Sequence, residues 1–280
     1  MIVPGPPSQS LAAELAAATD RPLAEVSYDR FPDGEALAAA PGFAGDEAVV
    51  VCSTPGDAAH LQLLQLQDAV REAGAERVTT VIPYMGYARQ DEAFEAGHPV
   101  SARAVARAVS TGADRVVLVS PHEPAVADFF DVPVAVVDAA SLLAGALPDL
   151  VEPLFLAPDE GAVGLATAVR DAYGRGETDH FEKTRHSGSE VTVRPHDTAA
   201  TGRGVVVVDD IVATGSTMSA AIAGLDGPAR TLVACVHPVL SGVARTRLAQ
   251  ADVDAVHATD TLERPCSTVS AAPAVADALE

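Results

Sequence analysis

Val205–Thr217 reads VVVVDDIVATGST and gathers the groups best suited to hold a phosphorylated sugar. Four valines make a strand too apolar to face water, and Asp209 and Asp210 stand at its end. Ala213, Thr214, Gly215, Ser216 and Thr217 then lead into a helix. Backbone N–H groups at a helix start, flanked by small hydroxyl side chains, cradle a phosphate. The two carboxylates suit the vicinal hydroxyls of a sugar or a hydrated metal ion. A Walker loop needs GxxxxGK[ST], and no lysine stands here, so this cradle is of another kind. An acidic turn that merely caps a helix is the plainer alternative.

Other segments place polar groups just past an apolar run or in a turn. Arg30–Glu35 is RFPDGE, an aromatic followed by a Pro–Gly turn with two carboxylates, readable as a plain loop or as a stacking face with polar contacts. Ile82–Asp91, IPYMGYARQD, sets Arg89 and Gln90 beyond a strand end, where an arginine can also make an ordinary surface ion pair. Ser120–Pro124, SPHEP, puts His122 directly after a valine-rich strand. Ala157–Ala162, APDEGA, puts Asp159 after another strand, with Gly161 opening a helix. Asp179–Val191, DHFEKTRHSGSEV, carries Lys183, the one lysine in the chain against seventeen arginines. An ammonium is a compact, strongly hydrated point charge on a flexible stem and can follow charge onto phosphoryl oxygens, with Arg185 clamping the same group. The glycine and serines of HSGSE predict a mobile loop that closes over substrates and excludes water. A solvated basic turn is the alternative.

The elements that must position these groups are legible as alternating runs. Strands are expected at Ala48–Cys52, Val78–Pro83, Arg115–Ser120, Leu154–Ala157, Gly204–Asp209 and Thr231–His237. Helices are expected at Ala58–Ala73, Ser101–Ser110, Gly161–Tyr173, Ser216–Leu225 and Ser241–Ala249. Runs of valine and isoleucine without polar alternation mark strands buried on both faces, the parallel-sheet pattern. Alternation of strand and helix throughout predicts α/β architecture, in which ligands bind beyond the carboxyl ends of the strands. At 280 residues the chain suits two domains, 1–140 and 141–280, with Phe129–Ala140 expected to carry the crossover.

Charge excludes some partners. The formal net charge is −21, with 20 acids and 8 bases in residues 1–140 and 19 and 10 in 141–280, so the acidity is spread rather than held in a tail. An unassisted binder of nucleic acid or of an anionic membrane carries a basic face, so this balance disfavours both partners. Spread acidity with one lysine and no asparagine suggests adaptation to a high-salt cytoplasm, where screening relieves self-repulsion. Cys52, Cys235 and Cys266 are far apart and form no CxxC pair, which fits a reduced cytosolic chain. MIVPGPPSQS lacks the features of a signal peptide, and no run of apolar residues is long enough to span a bilayer, so a cytoplasmic protein is expected.

The 205–217 segment resembles the 5-phosphoribosyl-1-pyrophosphate (PRPP) loop of type I phosphoribosyltransferases and of PRPP synthetases (ribose-phosphate pyrophosphokinases). The other segments resemble the synthetases specifically, and the archaeal-type branch most, over nearly the whole chain from SQSLA at Ser8 to TDTLERPCSTVS at Thr259. The resemblance implies two phosphoribosyltransferase-like domains, each a mostly parallel sheet flanked by helices. It implies transfer of the diphosphoryl group of ATP to the C1 hydroxyl of ribose 5-phosphate, giving PRPP and AMP for nucleotide biosynthesis. Phe31, Asp33, Gly34, Glu35, Arg89 and Gln90 would then meet ATP; Arg185, Asp209, Asp210 and residues 213–217 would meet ribose 5-phosphate. His122 and Asp159 would stand at Mg²⁺, and Lys183 and Arg185 would be catalytic. The family's homo-oligomeric assembly is expected as well. Glu160, Ala162 and Ala213 depart from many members, the last removing a carboxylate while leaving a cradle built on backbone N–H groups. A phosphoribosyltransferase would share the loop but has no need of RFPDGE, YARQD and the Lys183 segment together. A catalytically silent, nucleotide-binding regulatory homologue is the remaining alternative.

Overall fold

The computed structural model describes the backbone of residues 1–187, 190–195 and 199–280, and the side chains of residues 1–181 and 199–280. The chain forms two compact units. One comprises Met1–Asp138, Asp260–Glu263 and Ser270–Glu280; the other comprises Ala139–Thr259 and Arg264–Val269. The unit boundary therefore falls inside the Phe129–Ala140 stretch, and the last residues return to the first unit.

In the first unit, β1 (Ile2–Pro4), β4 (Glu47–Val51), β5 (Arg77–Ile82), β6 (Arg115–Val119) and β7 (Val134–Val137) form a parallel sheet in the order β1-β4-β5-β6-β7. β2 (Ser27–Arg30) and β3 (Ala36–Ala39) form a separate antiparallel hairpin. Helices α1 (Gln9–Ala18), α2 (Asp57–Glu72) and α3 (Ser101–Ser110) follow the strands. Val50, Leu63, Leu66, Val78, Val116 and Ala106 share one core and are fully buried. Part of the segment expected as a crossover is in fact β7: VAVV pairs Val134–Val137 with Val116–Val119, so it completes the sheet before the chain leaves.

The second unit holds β8 (Leu154–Ala157), α4 (Val163–Tyr173), β9 (Glu177–Ser187), β10 (Glu190–Pro195), β11 (Gly204–Ile211), α5 (Ser216–Ile222), β12 (Arg230–His237), α6 (Ala244–Gln250), β13 (Ala255–Thr259) and β14 (Ser267–Val269). Its sheet runs β10-β9-β8-β11-β12-β13-β14 and is parallel except for the β9–β10 pair. β11 lies at the centre, and Val205–Val208 are fully buried, as strands covered on both faces require. Helix α7 (Ala272–Asp277) closes the chain in the first unit, where Asp260 accepts the Ala271 N–H at 2.8 Å.

The Asp179–Val191 segment, whose HSGSE stretch is expected as a mobile loop, runs mostly as paired strands: Lys183 is opposite Val193 and Arg185 opposite Val191. The reason is partly visible in its first half, where Asp179 and Phe181 are buried at a spacing of two, the period of a strand. Gly188 and Ser189 of the expected flap lie outside the described residues. Among the described residues no helix is long and apolar enough to cross a membrane, and Cys52, Cys235 and Cys266 are free thiols.

Candidate active site

The strand ends of the second unit bring three carboxylates into one electrostatic neighbourhood. β8 and β11 are adjacent, with Leu156 opposite Val207. Asp209 follows two residues after Val207, and Asp159 three after Leu156, so both emerge at the same edge of the sheet. Burial, then Asp210, then Asp159 push the Asp209 carboxyl up to about 8. The Asp209 carboxylate accepts the Asp210 N–H at 3.0 Å, and that of Asp210 accepts the Ile211 N–H at 2.8 Å, so both side chains are folded back onto their own strand end. Asp159 is exposed and caps the turn beyond β8, accepting the Gly161 N–H at 3.1 Å. Glu160 beside it is exposed too.

The turn from β11 into α5 is held from behind. Gly215 sits at φ 72°, ψ 5°, the left-handed region, and a Cβ there would stand 3.3 Å from the Ala244 carbonyl oxygen and 3.4 Å from Leu248. Glycine is the residue that meets both demands. The Ala213 carbonyl accepts the Ser241 N–H at 2.9 Å. Arg247 of α6 donates from Nη1 to the Thr214 carbonyl at 2.6 Å and to Ser216 Oγ at 3.1 Å, and Thr214 Oγ1 lies 2.6 Å from Ser216 Oγ. Thr214, Ser216 and Thr217 are exposed. The result is a turn of small residues with exposed hydroxyls at the start of α5, fixed by a cation that sequence reasoning missed. Arg247 carries no signal of its own, because its partners lie some thirty residues away in the chain.

In the first unit the two segments expected to meet a nucleotide are tied to one helix. The RFPDGE turn closes with the Phe31 N–H on the Glu35 carbonyl at 2.8 Å and the Gly34 N–H on the Phe31 carbonyl at 2.9 Å, with Gly34 at φ 96°. Asp33 accepts the Glu35 N–H at 3.2 Å. Phe31, Asp33, Gly34 and Glu35 are all exposed, and a phenyl ring left 47% exposed is available for stacking. Gln65 of α2 anchors the hairpin: its side-chain carbonyl accepts the Ala38 N–H and its amide donates to the Ala36 carbonyl, both at 2.9 Å. At the start of the same helix, Asp57 accepts the Tyr87 hydroxyl at 2.6 Å, and His60 lies with its ring 5.5 Å from that of Tyr87. Tyr87 is at φ 65°, a strained conformation for a bulky residue, and its carbonyl accepts the Gln90 N–H at 2.9 Å. Arg89 is exposed and Gln90 half-buried. His122 is exposed just beyond β6, after Ser120 at φ 39°.

Lys183 and Arg185 lie on β9, two strands from β11. Their side chains are outside the described residues. Among the described residues no three His, Cys, Asp or Glu side chains form a metal cage. The donors at the β8 and β11 ends are carboxylate oxygens, which fit a hard cation that keeps most of its waters and shares them with substrate phosphates. Asp209 is raised by burial first and then by the neighbouring Asp210 and Asp159, a charge crowding that a cation would relieve.

A parallel α/β unit whose central strand ends in two aspartates and a hydroxyl-lined turn belongs to the phosphoribosyltransferase class of fold. Residues 124–259 match the phosphoribosyl transferase domain, and residues 1–112 match the N-terminal domain of ribose phosphate pyrophosphokinase. The chain is 63% identical over 281 residues to a ribose-phosphate pyrophosphokinase of Halobacterium salinarum, covering 100% of both. It is 44% identical to that of Methanosarcina mazei, over 99% of this chain and 94% of the relative. The crystal structure of phosphoribosylpyrophosphate synthetase from Mycobacterium smegmatis matches with a TM-score of 0.83 at 28% identity, over 100% of this chain and 97% of that one. The chain belongs to the ribose-phosphate pyrophosphokinase family and is an enzyme, a diphosphotransferase. The match of residues 1–112 is what separates it from a phosphoribosyltransferase.

Proposed function

We propose that the second unit takes ribose 5-phosphate and the first unit takes ATP, and that the β,γ-diphosphoryl group passes to the anomeric hydroxyl to give PRPP and AMP. The observation that carries this reading is the turn 213–217, with its exposed hydroxyls, beside Asp209 and Asp210. Its N–H groups and hydroxyls suit the 5-phosphate, and the two carboxylates suit the ring hydroxyls. Arg185 adds a cation for the same phosphate. Phe31 offers its face to adenine, Asp33, Gly34 and Glu35 offer polar contacts, and Arg89 and Gln90 take the remaining contacts to the nucleotide. His122 and Asp159 are each proposed as a Mg²⁺ contact of their own unit, and the ion would supply charge neutralisation on phosphate oxygens. Diphosphoryl transfer asks for alignment and charge stabilisation rather than for a covalent intermediate on the protein. Lys183 and Arg185 stabilise charge on the transferred group and on the departing AMP.

Incubation with ribose 5-phosphate and ATP, with and without Mg²⁺, should release AMP only when all are present. Lys183→Ala should lower turnover on the order of 10²–10³-fold or more while ATP binding stays measurable. Near-normal turnover in that variant ends the assignment, and activity that requires a purine base points to a transferase instead. Assembly into a homo-oligomer and residence in the cytoplasm are part of the same reading, the former testable by light scattering of the purified chain.

A further inference from the structure

We propose that Arg247 is a positioning residue that orients and polarises the Thr214–Ser216 hydroxyl pair of the phosphate cradle. This rests on the reading that turn 213–217 holds the phosphate of ribose 5-phosphate. A guanidinium can only donate. Arg247 Nη1 carries two hydrogens, and the geometry uses both: one on the Thr214 carbonyl at 2.6 Å, the other on Ser216 Oγ at 3.1 Å. Ser216 Oγ is thereby an acceptor toward α6. Its own proton can then go to Thr214 Oγ1, 2.6 Å away. In that arrangement the Thr214 hydroxyl accepts from Ser216 and has its own proton left to donate outward. In the reverse arrangement Ser216 Oγ accepts from both Arg247 and Thr214 and its own proton is the one left over. Either way one hydroxyl proton of the pair remains for an anion, and the chain from Arg247 through Ser216 and Thr214 passes part of a full positive charge to it without direct contact. The same arginine pins the Thr214 carbonyl inward, away from the phosphate, while Ala244 and Leu248 of its helix back Gly215.

The test is steady-state kinetics on Arg247→Met, Arg247→Ala, Arg247→Lys, Ser216→Ala and Thr214→Val, with each substrate varied separately. Arg247→Met should raise the KM for ribose 5-phosphate on the order of 10-fold, with the KM for ATP and the saturated kcat little changed. Arg247→Lys should recover part of the loss, and millimolar guanidinium ions should recover part of it in Arg247→Ala. Neither recovery follows from general loosening of the fold. Arg247→Met on top of Ser216→Ala should have a smaller effect than on the normal chain, because the relay is already broken. If Ser216→Ala and Thr214→Val raise that KM but Arg247→Met does not, the cradle stands and the relay is overturned. If none of the three changes it, the cradle reading itself has failed. Equal loss for both substrates with a lowered melting temperature and no guanidinium rescue makes Arg247 merely structural and also overturns the proposal.

Discussion

Replacing Asp209 by asparagine removes one charge from the site and nothing else of comparable size, and the structure says when that removal is felt. Asp209 is held up to about 8 by burial first, then by Asp210 and Asp159, against an ordinary value of 3.8. The folded chain therefore holds a proton that the unfolded chain has released. The stabilisation this gives is complete below the unfolded value and disappears as the pH rises through the folded one. Between about pH 6 and about pH 9 one proton is lost over roughly two effective pH units, so the loss is at most about 2–3 kcal/mol. For a unit of this size that is a fall in Tm of roughly 5–10 °C. Asparagine keeps the shape without the acid, so Asp209→Asn should match the normal chain at the lower pH and melt higher at the upper one. Thermal melts at constant ionic strength across that range measure it directly. Parallel pH profiles for the two proteins would show that Asp209 is already ionised at neutral pH, and the carboxylate cluster would then have to be solvated. Added Mg²⁺ offers an internal control: a cation among these carboxylates displaces the proton and should flatten the alkaline fall in the normal chain more than in the variant.

Two further perturbations test other links. Gly86 passes so close to Thr54 that a Cβ would lie 2.0 Å from the Thr54 carbonyl oxygen, a backbone atom that cannot swing away. Gly86→Ala should destabilise the first unit by roughly 2–4 kcal/mol in denaturant titration, and a change under about 1 kcal/mol would mean the loop shifts freely. The charge of −21 predicts that dialysis from high to low salt lowers the melting temperature through unscreened repulsion; an unchanged melt removes the argument for salt adaptation.

The strands at the centres of both sheets were legible because they are buried on both faces and so contain almost nothing but valine, isoleucine and leucine. Leu154–Ala157 is observed at the expected bounds, and Gly204–Ile211 runs two residues past its expected end, through Asp210. The edges were not legible. β1 is three residues long, and β2 and β3 form a half-exposed hairpin whose Pro–Gly turn dominates its composition. β9 carries Asp, His, Glu, Lys and Arg, so its charge conceals the spacing of two that buries Asp179 and Phe181. The residues at strand ends were found in the sequence because topology puts ligands there. The side chains that hold them in place were not, since Gln65, Asp57, His60 and Arg247 act across gaps of about 25 residues or more with no local pattern to mark them.

A chain with this much negative charge must still attract two phosphorylated substrates, and the structure reduces the conflict in two ways. The cations assigned to the substrates are few and local, and at high salt the Debye length is only ~3 Å, so distant surface carboxylates contribute little at the cradle. Beside the turn, burial first and then the charges of Asp210 and Asp159 leave Asp209 holding a proton near neutral pH, so the cluster presents less negative charge than its formula implies. That proton is expected to stay below about pH 8 and to leave as the pH rises through that value or as a cation binds among the carboxylates. Ala213 fits the proposed cradle: a third acid on the turn would add repulsion beside a bound phosphate, whereas holding by N–H groups and a backing Arg247 requires no side chain at that position.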